Sequence, residues 1–170
     1  MNELHLFLLH LQQPEYVHVL LNPLPLYGMA AGVFCLAIGL WSGSLEAQRP
    51  ALLWIVCVGI LTWLAIQYGE KGYDRVLSMS SPDAQLWLKV HAHRAGRCEF
   101  LFYLTAAAAL AALVTRPFLS KLSRWLAGVT LILAILCCLA GAWISQAGGQ
   151  IRHSEFRDGP PAASAHGPHA

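Results

Sequence analysis

Residues 141–157 read GAWISQAGGQIRHSEFR, and they mark the point where a long apolar helix runs into polar sequence. The stretch contains a glycine pair, Gly148-Gly149, followed by His153. Gly149 lies about one helical turn before His153. We therefore predict that the histidine supplies a ligand, while the missing side chain leaves room beside it for a flat cofactor. A cofactor at this level would also need histidines from other helices.

The whole chain is strongly apolar. Of its 170 residues, 56% are hydrophobic and only 12% are charged, which indicates a membrane protein rather than a soluble domain. The formal net charge of +2 is too small to indicate nucleic-acid binding. The five cysteines form no CxxC or CxxCH motif, so neither a zinc ribbon nor a covalently attached haem is predicted.

Four apolar runs approach the ~20 residues that a membrane-spanning helix needs. They cover residues 24–41, 51–68, 100–115 and 125–144. The first helix is expected to start near Glu15 and to kink at the proline-bearing residues 22–25. Pro50 is expected to stand at the first position of the second helix. The predicted fold class is all-α, a polytopic four-transmembrane-helix bundle with an N-terminal interfacial helix.

Flanking sequence completes the predicted domain organisation. Residues 1–14 are apolar but too short to cross a bilayer, and they lack the basic region and cleavage site of a signal peptide. They are predicted to form an interfacial amphipathic segment. Residues 15–157 form the predicted transmembrane domain. Residues 158–170, rich in proline, alanine and glycine, are predicted to be a disordered tail.

Four crossings put both termini on one side of the membrane, together with a long polar loop predicted at residues 69–97. Within this loop, Ser81 and Pro82 are expected to cap and open the third helix. The short loops on the opposite side, residues 43–49 and 116–124, carry four basic residues against one acid. That density predicts a cytoplasmic side. We expect a multi-pass protein of the bacterial inner (cytoplasmic) membrane, with both termini periplasmic.

Histidines from three predicted helices lie near the periplasmic level. His18 precedes the first span, His91 and His93 precede the third, and His153 follows the fourth. Histidines gathered at one level of a helical bundle can hold haem or a metal ion. His91 and His93 face nearly opposite directions because they are two residues apart on a helix. His91 is the predicted inward ligand, with the small Ala95 one turn later leaving space.

The predicted iron ligands are His91 and His153, with His18 as the first substitute. A second haem held by His18 and His93 would extend the same scheme. Taken singly, each histidine also fits an interfacial residue bonded to loop backbone. A mononuclear copper or zinc site competes, although it favours tighter ligand clusters and no HExxH motif occurs.

Two arginines accompany the predicted ligands. Arg94 follows the histidines of the third helix, and Arg152 directly precedes the histidine of the C-terminal motif. A guanidinium group pairs well with a haem propionate. It pairs equally well with a lipid phosphate or anchors a helix at the interface. Both assignments stay open from the sequence.

These residues give the chain a family resemblance. It resembles small four-helix bacterial membrane proteins of unknown function that are suspected of binding b-type haem. The matching places are His18 with Pro25, His91 with Ala95, and the motif GGQIRHSE at residues 148–155. The resemblance covers roughly residues 15–157. Pro23 stands where that family often carries a second histidine, so the resemblance implies one haem b more strongly than two.

The sequence thus predicts a membrane-bound b-type cytochrome-like electron-transfer subunit. It would pass electrons between the membrane or its quinone pool and a periplasmic cytochrome or other redox protein, within a larger complex and in contact with membrane lipids. This role is non-catalytic. The alternative is a cofactor-free structural anchor, since many small residues in the third and fourth spans permit close helix packing. A transporter ranks third because the spans lack a path of buried acids or bases.

Overall fold

The structure is a computed structural model that describes residues 2–161. Most of the predicted tail, residues 162–170, lies outside the described residues. The regular elements of the described part are all helical. In chain order they are α1 (Glu3–His10), α2 (Pro14–Leu21), a π turn (Leu24–Gly28), α3 (Met29–Trp41), α4 (Leu45–Met79), α5 (Pro82–Thr115), α6 (Ser120–Arg152) and a 3-10 turn (Ser154–Phe156).

Four helices in the described part of the chain are long and apolar enough to cross a membrane. The first, Pro14–Trp41, consists of α2, the π turn and α3, and the other three are α4, α5 and α6. The predicted all-α, four-helix membrane fold is confirmed. Helix α1 forms separately before Pro14, and its position at the membrane surface stays a prediction.

The first spanning helix is interrupted at its prolines, where the sequence predicts a kink. Pro25 lacks an amide hydrogen and its ring clashes with the preceding turn, so a regular α-helix cannot continue through it. The wider π turn at Leu24–Gly28 accommodates the break. The carbonyl of Gly28 accepts a hydrogen bond from Nε1 of Trp54 at 2.7 Å, which ties the turn to α4.

Helix α4 begins five residues earlier than the sequence predicts. Ser44 caps it, with its Oγ accepting from the amide of Ala47 at 3.2 Å. Pro50 therefore lies inside the helix, in its second turn, rather than at the first position. The side-chain cap at Ser44 explains the early start, because it satisfies an amide that a helix end otherwise leaves unpaired.

Residues 69–79, the first part of the segment predicted to be a long polar loop, are helical instead. Helix α4 continues to Met79 and α5 starts at Pro82, so a break of two residues separates them. The side chain of Gln85 secures this corner by donating to the carbonyls of Leu77 and Ser80. The polar residues lie on helices that extend past the apolar region. The predicted start of α5 is confirmed, since Ser81 Oγ accepts from the amide of Ala84 at 3.4 Å.

Small residues let the helices approach closely in the core. A Cβ at Gly59 of α4 would lie 2.5 Å from the Cβ of Ala106 of α5. Buried alanines, among them Ala109 and Ala134, line the contact between α5 and α6. At the end of the bundle that carries α2 the arrangement is more open: α2 packs against α4 but scarcely touches α5 or α6 within the described residues. A seam therefore runs between α2 and α5.

Candidate functional site

His91 is buried at the level where α5 meets α6. It is 9% exposed, and its Nδ1 donates to the carbonyl of Ile144 at 3.1 Å. The ring lies over Gly148, where a Cβ would stand 3.2 Å from Nδ1 and 3.3 Å from Cε1. The first glycine of the pair thus allows the imidazole to sit flush against α6.

His18 occupies an equivalent setting on α2. It is half-buried, and its Nδ1 donates to the carbonyl of Ala65 on α4 at 2.7 Å. Its ring lies over Gly69, where a Cβ would stand 2.8 Å from Nδ1 and 2.9 Å from Cε1. Each histidine therefore has the same support, a backbone carbonyl for Nδ1 and a glycine beneath the ring, supplied by a neighbouring helix.

The two supported rings are neighbours across the seam between α2 and α5. The ring centroids of His18 and His91 are 6.3 Å apart and their planes are inclined by 78°. A backbone carbonyl can only accept a hydrogen bond, so both Nδ1 atoms carry the proton. In the neutral ring this leaves Nε2 unprotonated. Neither Nε2 makes a hydrogen bond within the described part of the chain.

This protonation pattern is the one found for histidine ligands of metals. A metal-bound imidazole usually donates its other N–H to a carbonyl or carboxylate, which fixes the tautomer and the ring orientation. The spacing agrees as well. A metal–nitrogen bond of about 2.0 Å and a ring radius of about 1.15 Å, from ring bonds near 1.35 Å, place two rings on opposite sides of one metal about 6.3 Å apart.

His153 lies elsewhere. Helix α6 ends at Arg152, and His153 is the extended residue that follows it. Its side chain is 54% exposed and contacts the Glu155 carboxylate at 2.9 Å, while its ring stacks on Phe156 with centroids 5.0 Å apart. The structure thus brings His91 together with His18, the predicted substitute, rather than with His153.

A short polar network shapes the segment after α6. Arg157 turns back and donates to the carbonyls of Gln150 and Ile151 at 2.6 and 2.9 Å, which satisfies carbonyls that the helix end leaves unpaired. The pKa of Glu155 is lowered, first by a hydrogen bond from its own backbone amide and then by the hydrogen bond to His153. The Arg157 bonds cap the end of α6, just before the histidine.

The remaining predicted site residues are placed as follows. His93 and Arg152 are exposed, and Ala95 is half-buried. Gly149 has open space where a side chain would begin, whereas its neighbour Gly148 is the glycine in contact with a histidine. The sequence predicts that Gly149 leaves room beside a histidine ring, whereas in the structure Gly148 does so.

The guanidinium of Arg94 is hydrogen-bonded to α6. Its guanidinium donates to the carbonyl of Trp143 at 2.6 Å and to the side-chain oxygen of Gln146 at 2.7 Å. It also lies over the Trp143 ring, 4.5 Å from the centroid. These contacts tie α5 to α6 one turn from His91, and they leave other N–H groups of the fork for an anionic partner.

Sequence reasoning missed the two supports from α4. Ala65 and Gly69 are one turn apart near the end of the second apolar run, but a carbonyl acceptor leaves no mark in sequence. Gly69 fell at the edge of the segment predicted to be a loop, which hid its packing role. The contact of Ala65 and Gly69 with His18 could be predicted only if the helix was assumed to continue through Gly69, because the two residues then lie on one helix face.

His18 and His91 have no third metal-binding side chain grouped with them in the described part of the chain. No group of three or more histidine, cysteine, aspartate or glutamate side chains within residues 2–161 is arranged to hold a metal ion. This bears against the zinc alternative, because zinc sites normally take at least three protein ligands. The pair suits axial ligation of a planar metal complex, in which the plane supplies the other donors.

Comparisons of the chain with protein-family models, with curated proteins and with solved structures find no match.

Proposed function

We propose that His18 and His91 are the axial ligands of one b-type haem, and that the protein is a membrane-bound electron-transfer subunit. The observation that carries the proposal is the 6.3 Å separation of two imidazoles whose Nδ1 atoms are both held by backbone carbonyls. Two imidazoles with their ring centroids at that separation suit a metal centre between them. The family resemblance noted in the sequence supports the same cofactor.

The surroundings of the pair support a planar cofactor. Helices α2 and α5 scarcely touch within the described residues, so a planar cofactor held by His18 and His91 would lie between these two helices. Gly69 and Gly148 stand behind the rings and set how far each imidazole can retreat from the metal. The fixed rings would keep the same ligands in both oxidation states, which favours outer-sphere electron transfer.

Haem iron, when bound, supplies a one-electron couple. Held by His18 and His91, the group would supply outer-sphere electron transfer rather than substrate chemistry. The chain's own part is to hold the two rings, exclude water on the α6 side through buried Trp87 and Val90, and place the site near one membrane face. We infer a role between the quinone pool and a periplasmic redox protein, in the bacterial inner membrane with periplasmic termini.

Four single substitutions test the ligand assignment. Reduced-minus-oxidised difference spectra should show b-type bands in wild type and lose them in His18→Ala and His91→Ala. The matched controls, His93→Ala and His153→Ala, remove exposed imidazoles and should keep the bands. Loss of the bands in His153→Ala together with retention in His18→Ala would restore the ligand pair expected from sequence.

A single copper ion is the second candidate for the same pair, favoured by the small number of donors. Imidazole nitrogen is a common copper ligand, and His18 and His91 would be the two protein ligands of the ion. Copper quantified in the purified protein, with no haem bands, would support it. A purified protein that holds neither haem nor copper would leave the cofactor-free membrane anchor as the remaining function.

A further inference from the structure

An open hollow lies on the surface of the bundle where α6 begins. It measures about 570 Å³ and is lined by Ser120, Lys121, Arg124 and Trp125. Helix α6 meets His91 at Gly148, which is about 42 Å along the helix from Ser120. The hollow is therefore at the opposite end of the bundle from the histidine pair.

Each of the four side chains around the hollow carries a hydrogen-bond donor without a partner. The hydroxyl, the ammonium, the guanidinium and the indole N–H make no hydrogen bond or ion pair within the described part of the chain. The only acid close in sequence to the two helix connections at this end is Glu46, and its carboxylate is paired with Arg116. Several free donors, two of them cationic, suit an anion that accepts several hydrogen bonds.

The surroundings of the hollow place it at a membrane face. Helices α5 and α6 are both long and apolar enough to span a membrane, so the turn between them, residues 116–119, lies where the chain leaves the lipid. Phe118 in this turn is 82% exposed, and Trp125 is 66% exposed. Exposed aromatic side chains are typical of the interface between acyl chains and headgroups. Lys121 and Arg124 therefore lie at the level of the headgroup phosphates.

We propose that this hollow binds the phosphate of an anionic phospholipid. Lys121 and Arg124 pair with the phosphate oxygens, the Ser120 hydroxyl donates to one of them, and Trp125 packs beside the glycerol. An open hollow suits this occupant, because the acyl chains stay in the bilayer and the protein cannot close around the headgroup. A zwitterionic lipid fits less well, since its own cationic group would be repelled by Lys121 and Arg124.

The test measures lipid binding to the purified full-length protein in dodecyl maltoside by native mass spectrometry. Wild type should bind dioleoylphosphatidylglycerol more tightly than dioleoylphosphatidylcholine, which has the same acyl chains. Lys121→Gln and Arg124→Gln should each weaken phosphatidylglycerol binding about 5-fold, the effect of one cationic side chain near an anionic lipid. Arg49→Gln is the matched control and should bind like wild type, because Arg49 is an exposed cation at the same end of the bundle that does not line the hollow.

Three outcomes would overturn the inference. Equal affinity of wild type for the two lipids would show that the charge of the lipid is not recognised. Equal weakening by Arg49→Gln and Lys121→Gln would show a general effect of positive charge rather than a site. Displacement of the lipid by sodium phosphate, but not by sodium chloride of the same ionic strength, would assign the hollow to a free phosphate ion.

The variants and the haem proposal can be judged separately. Lys121 and Arg124 are exposed, so both variants should fold, and if one does not, the other still decides. None of the lipid-binding results depends on the haem, because the hollow lies at the opposite end of the bundle from His91.

Discussion

Gly69→Ala should displace the imidazole of His18 while leaving the histidine itself unchanged. The added Cβ would lie 2.8 Å from Nδ1 and 2.9 Å from Cε1 of His18, closer than nonbonded carbon and nitrogen atoms approach. The imidazole must retreat, which breaks its 2.7 Å hydrogen bond to the carbonyl of Ala65. Because the opposing ring is fixed by its own carbonyl, the two imidazoles would no longer keep the separation that the proposed haem requires.

Three effects of known size combine in this variant. Alanine is favoured over glycine inside a helix by about 1 kcal/mol. The lost hydrogen bond costs about 0.5–1.5 kcal/mol, and the steric conflict costs about 1–3 kcal/mol. The net loss of stability is then about 0.5–3.5 kcal/mol, or roughly 1–14 °C in Tm at about 2–4 °C per kcal/mol. The fraction of the protein that carries the proposed haem should fall more than the fraction that is folded.

The assay compares Tm in detergent and b-type absorbance in wild type, Gly69→Ala and Gly96→Ala. Gly96 lies in helix α5, and a Cβ there meets nothing within 4 Å. That control receives the same gain in helix propensity without a clash, so it should melt slightly higher and keep its spectrum. If Gly69→Ala behaves like Gly96→Ala in both respects, the glycine does not position the ring and the reasoning fails.

Three further predictions follow from particular contacts. Gly148→Ala should reduce b-type absorbance by crowding the buried imidazole of α5, whereas Gly149→Ala, which adds a methyl group into open space, should not; equal spectra would contradict this. Gly59→Ala should destabilise the protein by about 1–3 kcal/mol, and Ala106→Gly in the same chain should restore most of the loss, as a double-mutant cycle in Tm would show. The pKa of Glu155 is lowered, so the order that its bond to His153 gives the C-terminal segment is present above about pH 4.5 and is lost as pH falls through the lowered pKa. Amide hydrogen exchange of this segment, measured at decreasing pH, should therefore become faster. Unchanged exchange at acid pH would refute the pairing of Glu155 with His153.

The fold followed from the sequence because its cause is local. Runs of about 20 apolar residues can satisfy backbone hydrogen bonds in lipid only as helices. The corner at Ser81 and Pro82 was visible for the same reason, since capping depends on adjacent residues. The segment before it was misjudged because polarity indicated a loop, whereas helices α4 and α5 extend past the apolar region and carry those polar residues on their surfaces.

The site was harder to predict because its geometry depends on which helix neighbours which. The sequence indicated His18, His91 and His153 at one end of the bundle and favoured His91 with His153, whereas the structure brings His91 together with His18. The outcome rests on two features invisible in a motif: α2 packs against α4, which supplies a carbonyl and a glycine to His18, and α6 ends one residue before His153. As the residue that follows the helix end, His153 is exposed rather than packed into the bundle.

The most direct test of the central claim is the haem and metal content of the purified wild-type protein. A pyridine haemochrome assay, with iron and copper quantified on the same sample, reports both at once. We expect one haem b per chain, an equal amount of iron and no copper. A protein that contains neither haem nor stoichiometric iron would contradict the account of His18 and His91 as haem ligands.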